Sequence, residues 1–261
     1  FSGPEEELVR TEHAQPAIYL VGWIALQLLR EQAPGLAFEA TAGLSLGEFT
    51  ALAAADVLGF EEGLRIVRRR GEVMQDACEA SSGGMAAVVG LDEEAVRSVC
   101  DQAGVSLANL NCPGQIVVSG DADKMDAACD AAKAAGAKRA IPLPVAGAYH
   151  SPLMQPARAG LAEALAKVEL SEPSVPVYSN VTGQVHASGG TIAGTMVDQI
   201  TSPVKWEACI RAMIAAGITR FIELGPGTAL SGFMRRIDRD IEMLNVCDCD
   251  SLAKSAESLN A

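Results

Sequence analysis

No stretch of this 261-residue chain stays apolar for long enough to cross a bilayer. The longest candidate, residues 17–29, is interrupted by Gln27 and falls short of the roughly 20 residues a membrane helix needs; it reads as a core helix. Basic residues are scarce, 20 Lys and Arg against 33 Asp and Glu, for a formal net charge of −13. A surface of that sign repels phosphate backbones and anionic lipid, which excludes nucleic acid and membrane as partners. The seven cysteines lack a framework spacing, Cys247 and Cys249 being the one close pair, and no signal peptide is visible. Reduced thiols and a cytoplasmic location are therefore expected. Repeats and low-complexity segments are absent. Histidine occurs three times, at positions 13, 150 and 186, so chemistry that needs an imidazole has few candidates.

What is present has the composition of an ordinary α/β protein: 49% hydrophobic, 20% charged, with 25 glycines, in a chain long enough for one large domain or one domain with an insertion. Its centre is Gly43-Leu44-Ser45-Leu46-Gly47, which is G-x-S-x-G. Residues 36–42 before it read as a short buried strand, and 48–55 after it as a helix with an acidic first residue. In that context the serine occupies a tight strand-to-helix turn, with flanking glycines that allow close backbone approach. The turn lifts the hydroxyl to the edge of the sheet and points the Leu46 amide at whatever binds there.

The rest of the chain alternates. A helix with Pro16 in its first turn runs to about residue 31, and a second helix, 61–79, carries Arg68, Arg69 and Arg70. From Ser81 the texture changes: strands at 85–89, 105–110, 115–119 and 137–143 alternate with helices at 92–103 and 121–135. This βαββαβ order is that of a ferredoxin-like unit. Residues 81–147 are thus expected as a small insertion into an α/β core formed by 1–80 and 148–261. That core resumes with a helix over 151–168, a strand at 175–180, helices at 191–200 and 206–216, and a strand at 220–224. A helix to 237, a strand at 241–246 and a polar, frayed tail after Asp250 complete it.

A serine nucleophile needs a base within hydrogen-bond reach. His13 lies in a charged N-terminal segment, and His186 sits among glycines and serine as in a surface loop. His150 alone falls where a loop enters a helix, on the rim of the sheet that carries Ser45, and that rim is where open α/β sheets bind ligands. A backbone carbonyl could hold its other ring nitrogen and fix the tautomer. Successive helical residues point about 100° apart, so three consecutive arginines fan over about 200° and at least one must leave the solvent face. An arginine brought near the serine would favour a substrate bearing a carboxylate.

These residues resemble the malonyl-CoA:acyl carrier protein transacylases, the acyltransferases that load malonyl groups for fatty-acid synthesis. The similarity runs the length of the chain: Ala14-Gln-Pro-Ala17, Gly43 to Glu48 with Thr50-Ala-Leu52, Arg70 to Gln75, and Gly84 to Ala87. It continues through Asn111-Cys-Pro-Gly-Gln115, Gly147-Ala-Tyr-His-Ser-Pro-Leu-Met154, Pro203-Val-Lys-Trp206 and Glu223-Leu-Gly-Pro-Gly227. The resemblance implies a hydrolase-like core with a mostly parallel sheet and a ferredoxin-like insertion. It implies Ser45 as nucleophile, His150 as base, Gln199 as the residue whose main-chain carbonyl orients the histidine, and the Leu46 amide as an oxyanion donor. Arg70 falls on the family's malonate-binding arginine, with Met74 and Tyr149 beside it in substrate binding; Tyr149 would crowd a 2-methyl branch. Two departures stand out. Members often carry His where this chain has Leu44. The family also opens with a strand and a Gly-Gln-Gly-Ser/Ala-Gln loop that contributes to the oxyanion hole. This sequence starts at Phe1 rather than Met, so a fragment or processed chain is expected, with a plastid location open if a transit peptide was removed.

The implied reaction is a ping-pong transfer of malonyl from malonyl-CoA through Ser45 to the phosphopantetheine thiol of acyl carrier protein. It needs no metal and no bound cofactor. Because carrier proteins are acidic, a local basic patch is expected, from Lys138 and Arg139 and from Arg235 and Arg236. Two other readings remain: a serine esterase, which would need a late histidine and an HGGG-type loop not seen here, and a catalytically dead binding module.

Overall fold

The computed structural model describes residues 3–145 and 147–260. Phe1, on which the expectation of a preceding segment rests, lies outside them, as do residue 146 of the expected 81–147 insertion and the last tail residue, 261. The first half contains α1 (Glu5–Leu8), α2 (Thr11–Gln32), β1 (Thr41–Ala42), α3 (Gly47–Ala54) and α4 (Phe60–Glu79). Then come β2 (Gly83–Val89), α5 (Glu93–Ala103), β3 (Ser106–Cys112), β4 (Gln115–Asp121), α6 (Met125–Ala134) and β5 (Arg139–Pro142). The remainder is α7 (Ala157–Leu165), β6 (Val177–Tyr178), α8 (Gly189–Gln199), α9 (Trp206–Ala215), β7 (Arg220–Leu224), α10 (Ala229–Ile237), β8 (Glu242–Val246) and α11 (Cys249–Asn260).

The fold is α/β with sheets of both kinds. β2 to β5 form a four-stranded antiparallel sheet in the order β3-β4-β2-β5, with α5 and α6 packed on it through Val96, Val99, Ala128 and Cys129. Among the described residues, parallel pairing occurs in two separate ladders, β1 with β6 and β7 with β8, and in one isolated bridge between Asn109 and Val204, so the expected mostly parallel sheet is divided. The largest core lies between α2, α3, α4, α7 and α8, where Phe49, Leu52, Ile66, Met154, Leu161, Ile192 and Met196 are fully buried. Ser45 stands at its edge.

Helix α4 shows how the sequence builds this core. Its buried positions, Ile66, Val67, Arg70, Val73, Met74 and Ala77, recur at the three-to-four-residue spacing of one helical face. Gly71 on that face lets α2 come close, since a Cβ there would lie 2.9 Å from the Glu12 Cα and the Thr11 carbonyl oxygen.

The same contact explains why α2 starts at Thr11, a full turn before the expected Pro16. Proline inside a helix forfeits one backbone hydrogen bond. Here Thr11 is buried and its amide donates to Gln75 Oε1 at 3.3 Å, so packing on α4 outweighs the local preference. The strand expected over 36–42 shrinks to Thr41–Ala42, because a strand exists only where it has a partner and β6 pairs with just those two residues. Pro156 divides the helix expected over 151–168 into a 3₁₀ turn, Pro152–Met154, and α7. The tail is not frayed: α11 buries Leu252 and Ala256 against Ala25, Leu29 and Val246. No helix among the described residues is long and apolar enough to cross a membrane, and α2 leaves Ile18, Ile24 and Leu28 exposed.

Candidate active site

Ser45 adopts φ +53°, a left-handed conformation that costs a non-glycine residue energy and is kept where surrounding structure enforces it. The enforcement starts with Gly43. A Cβ at that position would lie 1.9 Å from the carbonyl carbon and oxygen of Gly47, so the turn closes only over a bare Cα. Gly47 differs, since a Cβ there meets nothing within 4 Å. Of the two glycines in the motif, only the first is sterically required. Gly43→Ala is expected to lower the melting temperature by several degrees, an overpacking cost of about 1–3 kcal/mol. Gly47→Ala, at the first position of α3, should leave it unchanged or raised. Thermal unfolding of the two variants side by side checks the asymmetry.

Asn180, just beyond β6, clamps the turn. Its Oδ1 accepts from the Ser45 amide at 2.6 Å and its Nδ2 donates to the Gly43 carbonyl at 2.8 Å. The Leu46 amide begins α3 and donates to no group among the described residues, so it is free to face an incoming oxyanion.

His150 lies 105 positions along the chain, yet its Nε2 stands 2.9 Å from Ser45 Oγ. It too has positive φ, +59°, and the Ser151 cap that follows accepts from the Leu153 amide and donates to the Ala148 carbonyl. His150 Nδ1 lies 2.9 Å from the Gln199 carbonyl oxygen. A carbonyl only accepts, so Nδ1 carries the proton and Nε2 is left bare to accept from the serine hydroxyl. Burial and the neighbouring Arg70 cation push the His150 pKa down to about 4, which keeps the imidazole neutral near pH 7.

Arg70 is 1% exposed, whereas Arg68 and Arg69 face outward and pair with Glu72. Of its five N–H donors, one meets Gln15 Oε1, one meets Ser45 Oγ at 3.1 Å and one meets Gln199 Oε1 at 2.9 Å. Nε–H has no partner among the described residues. The guanidinium carbon sits 5.6 Å from the centre of the Phe49 ring. Burial lowers its pKa to about 10 and Glu48 opposes the shift, so the group stays charged at neutral pH. A cleft of about 370 Å³ reaches His150 between Arg97, Ser106 and Leu107 on one side and Pro152, Thr201 and Pro203 on the other. A serine in contact with a neutral imidazole and a buried cation, with a free amide beside it, is equipped to take up an acyl group from a substrate carrying a negative charge.

Met74 is buried and its sulfur accepts from Gln15 Nε2 at 3.5 Å; Tyr149, half-buried next to His150, has its phenol pKa raised by burial. Lys138 and Arg139 at the start of β5 and Arg235 and Arg236 at the end of α10 are exposed. The Lys138 amide donates to the Val89 carbonyl beside Gly90, the Gly90 amide donates to Gly114, and Arg236 donates to the Pro113 carbonyl at 2.7 Å. The two basic pairs therefore flank one turn. His13 is exposed near Glu7, while His186, expected in a surface loop, is buried with Nε2 2.8 Å from Glu48 Oε1. The correction is tertiary in origin: the Glu48 carboxylate beneath the Ser45 turn needs a donor, and the loop after β6 supplies it.

Residues 1–249 match the acyl transferase domain family. The chain belongs to that family. Its curated relatives include the malonyl CoA-acyl carrier protein transacylase of Bacillus subtilis, 42% identical over 99% of this chain and 83% of the relative. The enzyme of the same name from Escherichia coli K12 is 41% identical over 90% of this chain and 77% of the relative. Among solved structures, the transacylase of Coxiella burnetii superposes with a TM-score of 0.94 at 36% identity, covering 100% of this chain and 83% of that one. A malonyl-transacylase in complex with a type II polyketide acyl-carrier protein superposes with a TM-score of 0.94 at 37% identity, covering 98% and 84%.

Around this acyltransferase's serine the structure also assembles residues to which the sequence assigned no role. Gln15, Glu48 and Asn180 each touch the site, and Gln199 contributes its side chain as well as its carbonyl: Nε2 donates to the Ser45 carbonyl at 3.0 Å and to Glu48 Oε2 at 2.7 Å. Gln15 was within reach of pattern reasoning, as a polar residue on the inward face of an apolar helix. Asn180 was not, since nothing local announces a contact across 135 positions.

Proposed function

We propose that the protein transfers a malonyl group from malonyl-CoA to the phosphopantetheine thiol of an acyl carrier protein, through a malonyl ester on Ser45. The observation that carries this reading is the joint contact of one serine hydroxyl with a neutral histidine and a buried arginine. His150 Nε2 takes the hydroxyl proton as Oγ attacks the thioester carbonyl, and the Leu46 amide stabilises the tetrahedral oxyanion. The C–S bond then breaks and the CoA thiolate leaves with the proton from His150. In the second half the carrier thiol gives its proton to His150 and attacks the ester, and the serine oxygen recovers it. Arg70 keeps two donors, Nε–H among them, for the free malonyl carboxylate. Lys138, Arg139, Arg235 and Arg236 supply positive charge for an acidic carrier.

Residues 81–147 act as a ferredoxin-like insertion, a reading supported by the β3-β4-β2-β5 order and its antiparallel pairing. Residues 1–80 and 148–261 then form the hydrolase-like core. Incubation with labelled malonyl-CoA followed by intact-mass measurement tests the reaction. One malonyl group on Ser45, discharged by holo-carrier protein, is expected. Net hydrolysis would point to an esterase, and no adduct to a non-catalytic module.

A further inference from the structure

One carboxylate that this reaction does not use lies under the nucleophile. Glu48 is fully buried in the first turn of α3, three residues after Ser45. Its Oε1 accepts from His186 Nε2 at 2.8 Å, and its Oε2 accepts from the Asn180 amide at 3.1 Å and from Gln199 Nε2 at 2.7 Å. Every group around it is thus a donor. Asn180 holds both ends of the Ser45 turn. Gln199 holds His150 through its carbonyl and Arg70 through Oε1. One carboxylate therefore stands a single hydrogen bond from each of the two residues that fix the serine, the imidazole and the guanidinium.

We propose that Glu48, seated by His186, is the positioning residue that keeps Ser45, His150 and Arg70 in register for acylation. The inference rests on the transferase reading above. Two segments distant in sequence from the Ser45 turn, the loop after β6 and the end of α8, meet on its two oxygens. Without it the Asn180 backbone amide and one N–H of the Gln199 side chain would each lose an acceptor, leaving buried donors unpaired and the segments that carry them less firmly held. A misplacement of about 1 Å between reacting groups is enough to slow a reaction about 10²-fold. Glu48→Gln separates geometry from charge. Its carbonyl oxygen can occupy the Oε2 position, and its amide can donate to His186 once that ring adopts the other tautomer.

The test is the single-turnover rate of Ser45 acylation by malonyl-CoA, with KM and thermal unfolding measured on the same samples. Glu48→Ala should acylate about 10²-fold more slowly, with KM changed by less than about threefold and unfolding still cooperative. Glu48→Gln should recover to within about tenfold of the wild-type rate, and His186→Ala should fall between the two. A folded Glu48→Ala protein that acylates at the wild-type rate overturns the proposal. So does a Glu48→Gln protein as slow as the alanine variant, which would assign the effect to charge. If Glu48→Ala does not fold, His186→Ala decides: a slowed rate supports positioning, and an unchanged rate with a lowered melting temperature overturns it. Wild-type protein that accepts no malonyl group would overturn the transferase reading itself.

Discussion

Replacing His150 by alanine should lower the rate of the proposed malonyl transfer onto Ser45 by about 10²–10⁴-fold, the usual worth of a positioned general base. Ser45 Oγ then keeps its contact with Arg70 but has no acceptor for its proton. Binding of malonyl-CoA should change little, because Arg70, proposed to pair with the malonyl carboxylate, remains. The wild-type pH profile carries the signature of the same residue. With its pKa pushed down to about 4, His150 is in its basic form throughout the neutral range. The acylation kcat/KM should rise with pH through about 4 and be level by pH 5.5, where an imidazole with the ordinary pKa of about 6.5 would be only about 9% neutral. An acid limb centred near 6.5 would mean that Arg70 and burial do not act on the imidazole as the geometry implies. Stability carries the matching sign. An imidazole protonates near 6.5 in the unfolded chain and near 4 in the folded one, so its contribution is intact above pH 6.5 and drains away between 6.5 and 4. The loss amounts to about 3 kcal/mol and should be missing from the alanine variant.

Arg70→Ala should erase the preference for malonyl over acetyl. A buried guanidinium that has a carboxylate to pair with is strongly favoured over one that has none, and breaking such a pair costs about 3–5 kcal/mol, or about 10²–10⁴-fold in the ratio of kcat/KM values. The ratio falls because the malonyl rate collapses while the acetyl rate loses only the help that Arg70 gives to Ser45. Arg70→Lys is the informative companion. It restores a charge but cannot reach Gln15, Ser45 and Gln199 at once as the planar fork does, so most of the selectivity should remain lost. Competition between malonyl-CoA and acetyl-CoA, read by intact mass, measures both variants. An alanine variant that still loads malonyl preferentially would remove Arg70 from carboxylate recognition.

Much of this was legible in the chain alone. The G-x-S-x-G turn between a strand and a helix follows from local chemistry, because a left-handed serine needs a glycine where the backbone doubles back. The burial of one arginine among three follows from helical geometry, since position 70 falls on the apolar face that Val67 and Met74 define. The choice of His150 over His13 and His186 followed from its place at a loop-to-helix junction. Tertiary structure alone decided the rest. Helix α2 runs through Pro16 because Thr11 and Gly71 meet across two helices. His186 turns inward because a buried carboxylate 138 positions away needs a donor. The tail orders because α2 and β8 present an apolar seat for Leu252 and Ala256. The physical reason is common to all three. Periodicity, turn chemistry and charge act over a few neighbouring residues and are written locally. The partner of a buried polar or apolar group is whatever the folded chain brings within reach, and no local pattern encodes it.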